Sequence, residues 1–142
     1  MSSYIAHRRL DFAQTDLAGV AHFAEYFRIL ESVEHQFLRE NGLSVVMDLN
    51  NVKVSWPRVS CGFDFFLPLR FEEDFEVHLG IERVGEKSVT YRGEFRRGDG
   101  LLARGRCTAV CCSLSEDGLE GIPIPEVYRD LLCRYQWESS AD

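Results

Sequence analysis

Residues 15–39 read TDLAGVAHFAEYFRILESVEHQFLR, and this stretch sets the architecture because it joins an acid-bearing turn directly to a long helical pattern. At about 100° per residue, Phe23, Tyr26, Phe27, Leu30, Val33 and Phe37 fall on one face, while Arg28, Ser32, His35 and Arg39 fall on the other. The periodicity predicts an amphipathic helix. Glu34 breaks the pattern, because it lies between Phe23 and Phe27 on the apolar face, where a carboxylate costs free energy unless it is paired or protonated. Upstream, Asp16 is followed by Leu17, Ala18 and Gly19, a short turn that delivers the chain to the helix start near His22 and Phe23. The first N–H groups of a helix lack partners within it and carry partial positive charge. A carboxylate and a free donor are therefore expected to face one small space.

The 142 residues, 45% hydrophobic and 12% aromatic, suffice for a core of their own, so one domain over 1–142 is expected. A formal charge of −7 argues against a nucleic-acid partner, which needs a basic stripe to neutralise phosphates, and mildly against an anionic membrane surface. No apolar run approaches the roughly 20 residues of a spanning helix, and MSSYIAHRRLDF lacks the apolar block of a signal peptide. The expected location is the cytoplasm. Cys61, Cys107, Cys111, Cys112 and Cys133 show no CxxC spacing, and three of them sit in one strand-like run as small hydrophobes. Neither disulfides nor a metal site are expected.

Before the helix, residues 4–13 alternate loosely and suggest a first strand; after it, Asn41-Gly42 suits a left-handed helix end. Residues 43–53 show no clear period. VSWPRVSCGFDFFL, residues 54–67, reads as a strand interrupted at Pro57, which cannot donate to a ladder and so marks an edge or bulge. Phe75, Val77, Leu79 and Ile81 alternate with polar residues, Gly85 makes a turn, Val89, Tyr91 and Phe95 alternate again, and Gly98-Asp99-Gly100 signals a hairpin into LLARGRCTAVCCSL. SEDGLEG reads as a turn. From Pro125 to Tyr135 a short helix places Val127, Tyr128, Leu131, Leu132 and Tyr135 on one face. The order implies an α+β fold in which an antiparallel sheet packs on one dominant helix, with an uncovered edge that favours a dimer.

The segment TDLAGVAHFAEYFRILESVEHQFLRENGLS resembles the signature of the 4-hydroxybenzoyl-CoA thioesterase family of hot-dog-fold hydrolases, D-T-D-x-x-G-x-V-x-x-x-x-Y with an acid further along the helix. WPRVSCGFDFFLPLRFEEDFEV and IERVGEKSVTYRGEF resemble the family's following strands, so the likeness runs through nearly the whole chain. It implies a hot-dog fold, an antiparallel sheet wrapped around one long central helix with a short C-terminal helix. It also implies an acyl-CoA thioesterase that needs no cofactor, coenzyme A being part of the substrate, and that works as a homodimer or homotetramer with its pocket between subunits.

Residue by residue, the resemblance makes Asp16 the catalytic acid, nucleophile or general base, and gives the Phe23 N–H the role of polarising the thioester carbonyl. This agrees with the helix-end argument. Glu34 is a third catalytic candidate, since a related branch of hot-dog enzymes takes its glutamate from this helix; read as a residue alone, such an acid is more often a partnered or snorkelling one than a catalyst. Glu31, the counterpart of the family's helix acid, is expected in a polar contact. Gly19, His22, Tyr26, Ser60 and Lys87 are the candidate substrate contacts, Lys87 matching a position that grips CoA phosphates in some members. Gln14, Glu25, Gly85 and Glu86 depart from the family pattern. Arg58 and Arg83, with Lys87, read as a solvated surface set. An Asp16–His22–Ser60 triad has no G-x-S-x-G elbow behind it. The alternatives are hydrolysis of acyl groups on acyl carrier protein and non-catalytic acyl-CoA binding.

Overall fold

The structure, a computed structural model, describes residues 3–138. The long helix α1 spans Phe23–Glu40 and starts where the pattern places it. His22 caps it, its Nδ1 accepting from the Ala24 N–H at 3.2 Å; Glu25 lies in the first turn and Arg39 in the last, each opposing the helix dipole. The helix ends at the Asn41-Gly42 cap, as expected.

A five-stranded antiparallel sheet curls around α1. Its strands are β1 (Tyr4–Arg9), β4 (Arg58–Phe65), β5 (Asp74–Val84), β6 (Ser88–Arg97) and β7 (Gly100–Val110), in the order β1-β5-β6-β7-β4. A smaller sheet, ordered β2-β3-β8-β9, is made of β2 (Met47–Leu49), β3 (Val52–Ser55), β8 (Cys112–Ser115) and β9 (Gly118–Gly121). The second sheet prolongs the first: past Trp56-Pro57 the β4·β7 ladder resumes as β3·β8, with the Val110 N–H donating to the Pro57 carbonyl at 3.0 Å. Pro57 is thus the break in an edge, as its missing donor requires. The result is the hot-dog arrangement, completed by α2 (Glu126–Arg134).

Strand alternation sends Val77, Leu79, Ile81, Tyr91, Phe95 and Ala103 inward against Tyr26, Ile29, Leu30, Val33, Phe37 and Leu38 of α1, all buried in one cluster. Each such large apolar side chain contributes roughly 1.5–3 kcal/mol on burial. Beyond the end of β1, the rim of β5 is taken by residues 135–137: the Ile81 N–H donates to the Tyr135 carbonyl and the Trp137 N–H to the Ile81 carbonyl. The Trp137 ring then lies flat on Gly80, where any Cβ would collide with it, and under the Arg92 guanidinium 4.5 Å away.

Four expectations are corrected. Residues 43–53 carry β2 and the start of β3, joined at Asn50 and Asn51, both in the left-handed region that a tight hairpin needs. SEDGLEG is a turn followed by the short strand β9. Val127 is 48% exposed, off the buried face of α2. Phe23 is 63% exposed, because the groove beside the helix start is open to solvent in a single chain.

Candidate active site at the start of the long helix

The segment before α1 is a tight loop. The Asp16 N–H donates to the Val20 carbonyl at 2.9 Å, the Gly19 N–H to the Asp16 carbonyl at 3.0 Å, and the Ala18 N–H to Asp16 Oδ1 at 2.9 Å. Gly19 has φ +78°, a conformation that a Cβ would strain, so a glycine is what lets the loop close. The loop is pinned outside itself by the Ala21 N–H to the Leu69 carbonyl at 2.7 Å and the His22 N–H to the Gln14 carbonyl at 2.9 Å.

This pinning fixes two groups with nothing to bond to. Asp16 Oδ2 accepts no hydrogen bond among the described residues, and the carboxylate is exposed. The Phe23 N–H, the first of α1, has no acceptor among them either, because His22 caps Ala24 and its carbonyl takes the Glu25 N–H. Asp16 and Phe23 line one groove with Tyr26, Phe65 and Phe66. Tyr26 packs on Phe65 at 5.0 Å and Phe63 at 5.8 Å, and burial raises its phenol, so it stays a neutral donor. The His22 ring stacks on Phe23 at 4.7 Å; with Nδ1 accepting from the backbone, the neutral ring carries its proton on Nε2. An acid with a free oxygen, an unengaged helix-start donor and aromatic walls are what acyl transfer to water requires.

The remaining sequence candidates lie elsewhere in the same chain. Glu34, 4% exposed, lines a separate cavity further along α1, where its Oε1 accepts from Arg58 Nη2 at 2.5 Å. Burial pushes the Glu34 carboxyl up, against the pull of Arg58. Arg58 is therefore no member of a solvated surface set: its side chain is 24% exposed and it also approaches Glu31 at 3.9 Å, the polar contact expected of that acid. Ser60 points from β4 to the outer face of the sheet, away from α1, in register with Thr108. That separates it from Asp16 and His22 and disposes of the triad. Lys87 is exposed in the β5–β6 turn, where its carbonyl accepts from the Cys111 N–H. Sequence reasoning missed Arg58 and Tyr91 as walls of the Glu34 cavity. The signal was there in principle, since a buried carboxylate demands a cationic partner.

The model of the thioesterase-like superfamily matches residues 10–132. The chain belongs to this superfamily. Membership makes it a thioester hydrolase. Among relatives, the 1,4-dihydroxy-2-naphthoyl-CoA hydrolase of Synechocystis is 24% identical over 135 residues, 94% of this chain and 96% of that one. Among solved structures, the dynemicin thioesterase superposes with a TM-score of 0.84 at 24% identity, covering 97% of this chain and 100% of its own. A gentisyl-coenzyme A thioesterase gives 0.77 at 25% identity, covering 91% and 99%. Among the described residues no group of three or more His, Cys, Asp or Glu could hold a metal ion, and no helix is long and apolar enough to cross a membrane.

Proposed function

We propose that this superfamily member hydrolyses an acyl-CoA to the free acid and CoA, with Asp16 as nucleophile or general base and the Phe23 N–H holding the developing oxyanion. The observation that carries the reading is the convergence of two unengaged groups, Asp16 Oδ2 and the Phe23 N–H, on one aromatic groove. In the general-base form Asp16 takes a proton from water as it attacks the thioester carbon, and the C–S bond then breaks with CoA leaving as the thiol. In the nucleophilic form the carboxylate attacks first and water cleaves the resulting anhydride. Neither route calls on a metal or redox cofactor. Relatives named for aromatic acyl-CoA substrates support CoA as the carrier of the thioester. Five unpaired cysteines support a reducing compartment, the cytoplasm.

The working unit in this reading is at least a dimer of single hot-dog domains. Strand β4 is an exposed edge, and Val59, Phe65 and Phe66 on and beside it are 61%, 47% and 51% exposed, an apolar rim that pairing with a second copy would cover. Light scattering at micromolar concentration should find a dimer or tetramer; an active monomer would refute the shared site. Asp16→Asn should keep the fold and lower turnover by about 10²- to 10⁴-fold, the scale of losing a positioned acid or base. Turnover within a few-fold of the parent would remove Asp16 from the mechanism.

A further inference from the structure

Cys61 and Cys107 stand directly opposite each other in the β4·β7 ladder, the one place among the described residues where two cysteines face across a strand pair. Alternation turns both towards α1. Phe63, two residues beyond Cys61, packs on Phe27 of the helix at 4.9 Å, and Cys107 lies in register with the buried Tyr91. Both cysteines thus wall the cavity of about 170 Å³ that Glu34 and Arg58 also line. Opposite residues of an antiparallel pair have Cα atoms about 4.5 or 5.5 Å apart, and a disulfide spans about 4.4–6.8 Å, so the backbone already has the separation that an S–S bond needs. The three remaining cysteines do not share this arrangement: Cys111 and Cys112 are buried neighbours in the chain, and Cys133 is exposed on α2.

The two thiols are unlike. Cys61 is exposed on the edge strand, whereas burial, and then the hydrogen bond with Cys61, push the Cys107 thiol up to about 12 against the pull of the Arg58 guanidinium. Cys107 therefore keeps its proton until a bond forms at its sulfur. Such a pair has the division of labour between a thiol that meets an oxidant and a neighbour that resolves it. Pairing of β4 with a second copy would engage the backbone groups of its free edge, and the two sulfurs, on the inner face, would still lie opposite each other.

We propose that Cys61 and Cys107 are a modification site, forming a reversible disulfide in response to a peroxide and thereby pinning the edge strand to the sheet. The Cys61 sulfur attacks one peroxide oxygen and the O–O bond breaks, leaving a sulfenic acid and one water. The Cys107 sulfur then attacks that of Cys61; the S–S bond forms as the S–O bond breaks, and hydroxide leaves with the Cys107 proton as a second water. Two thiols have given up two electrons, and the peroxide has taken them. A small thiol reverses the modification by exchange. The bond closes a loop that contains the whole of β5 and β6, which removes freedom from the unfolded chain, and it fixes β4 to β7, its one ladder partner in the described chain. The site stands apart from the hydrolytic chemistry and needs no substrate.

The test uses the full chain, reduced, freed of reductant and treated with hydrogen peroxide in small molar excess. Free thiols counted in denaturant should fall from five to three, and peptide mapping under non-reducing conditions should join Cys61 to Cys107. The melting temperature should rise by about 5 °C, and dithiothreitol should reverse all three changes. In Cys107→Ser the same treatment should leave a sulfenic acid on Cys61 that dimedone captures, with no rise in melting temperature; Cys61→Ser should give neither product. Should Cys107→Ser not fold, Cys107→Ala replaces it with the same expectations. Survival of all five thiols, loss of Cys133 ahead of Cys61, a covalent dimer joined through Cys61, or a Cys61–Cys107 bond that leaves the melting temperature unchanged would each overturn the proposal.

Discussion

Glu34 and Glu94 are buried to the same extent, each 4% exposed, yet the protein treats them in opposite ways. Burial alone would raise the Glu94 carboxyl, but on the outer face of the sheet Arg92, Arg96 and Arg104 surround it at 2.7–3.1 Å and hold it down at about 2. Glu34, on the inner face, has one close arginine, and its carboxyl is raised by desolvation. A carboxylate wrapped by three guanidinium groups has no capacity left for a ligand. One with a single partner, a free oxygen and a cavity in front of it is poised to bind something. Burial by itself does not distinguish a structural charge from a functional one; the completeness of the coordination does.

The hardest blow to this contrast is Glu94→Leu, which strands three arginines around an apolar side chain. It should cost about 2–4 kcal/mol, below the full price of a wholly enclosed ion pair because the arginines reach solvent, and denaturant unfolding measures it. Glu34→Leu should cost less, about 1–3 kcal/mol, since it strands Arg58 alone. Equal losses for the two variants would erase the distinction.

Acid titration sharpens it further because the two acids slope in opposite directions. Glu94 is depressed in the folded state, so its contribution is present above the unfolded value near 4.5 and disappears as pH falls towards about 2. Glu34 is raised, so it favours folding while protonated, and that contribution declines as pH rises from the unfolded value through the folded one. Stability curves against pH should therefore flatten on the acid side in Glu94→Gln and, above pH 4.5, lose a decline in Glu34→Gln. The smallest effect is that of Glu34→Gln near its own titration, expected within about 1 kcal/mol because the amide keeps one acceptor for Arg58.

The sequence made Glu34 conspicuous and left Glu94 invisible, for the same reason. A helical wheel displays a misplaced acid at once, because the apolar stripe is continuous around it. In β6, by contrast, Glu94 alternates outward with Arg92 and Arg96, which is how any wet strand face reads; its burial depends on Arg104, brought alongside from β7 by the ladder. Local punctuation was equally readable: the α1 boundaries, the Pro57 break and the Gly98-Asp99-Gly100 hairpin all depend on residues next to each other in the chain. β9 and the role of Arg58 were not: β9 is the four-residue arm GLEG of a tight hairpin with β8 and carries one large apolar residue, too little alternation to announce a strand, while Arg58 is fixed by Glu34, far from it in sequence. The same holds for the candidate site. Asp16, Gly19, His22, Phe23 and Tyr26 belong to one turn and one helix start and were legible together. Whether Glu34, Ser60 or Lys87 could join them was a question of which sheet face and which end of the fold each occupies, and no spacing rule answers it.

The parallel bridge between Ile81 and Gln136 also bears on how the protein is made. Strand β5 receives β1 on one stretch of its rim and residues 135–137 on the next, so its neighbours there come from opposite ends of the described chain. During translation β5 leaves the ribosome with part of that rim bare, and the segment that covers it is synthesised only after β6 to β9 and α2. The nascent chain therefore passes through a stage in which the Ile81 N–H and carbonyl lack the partners that residues 135–137 give them, a window in which a chaperone or a neighbouring nascent chain can compete for that stretch of edge.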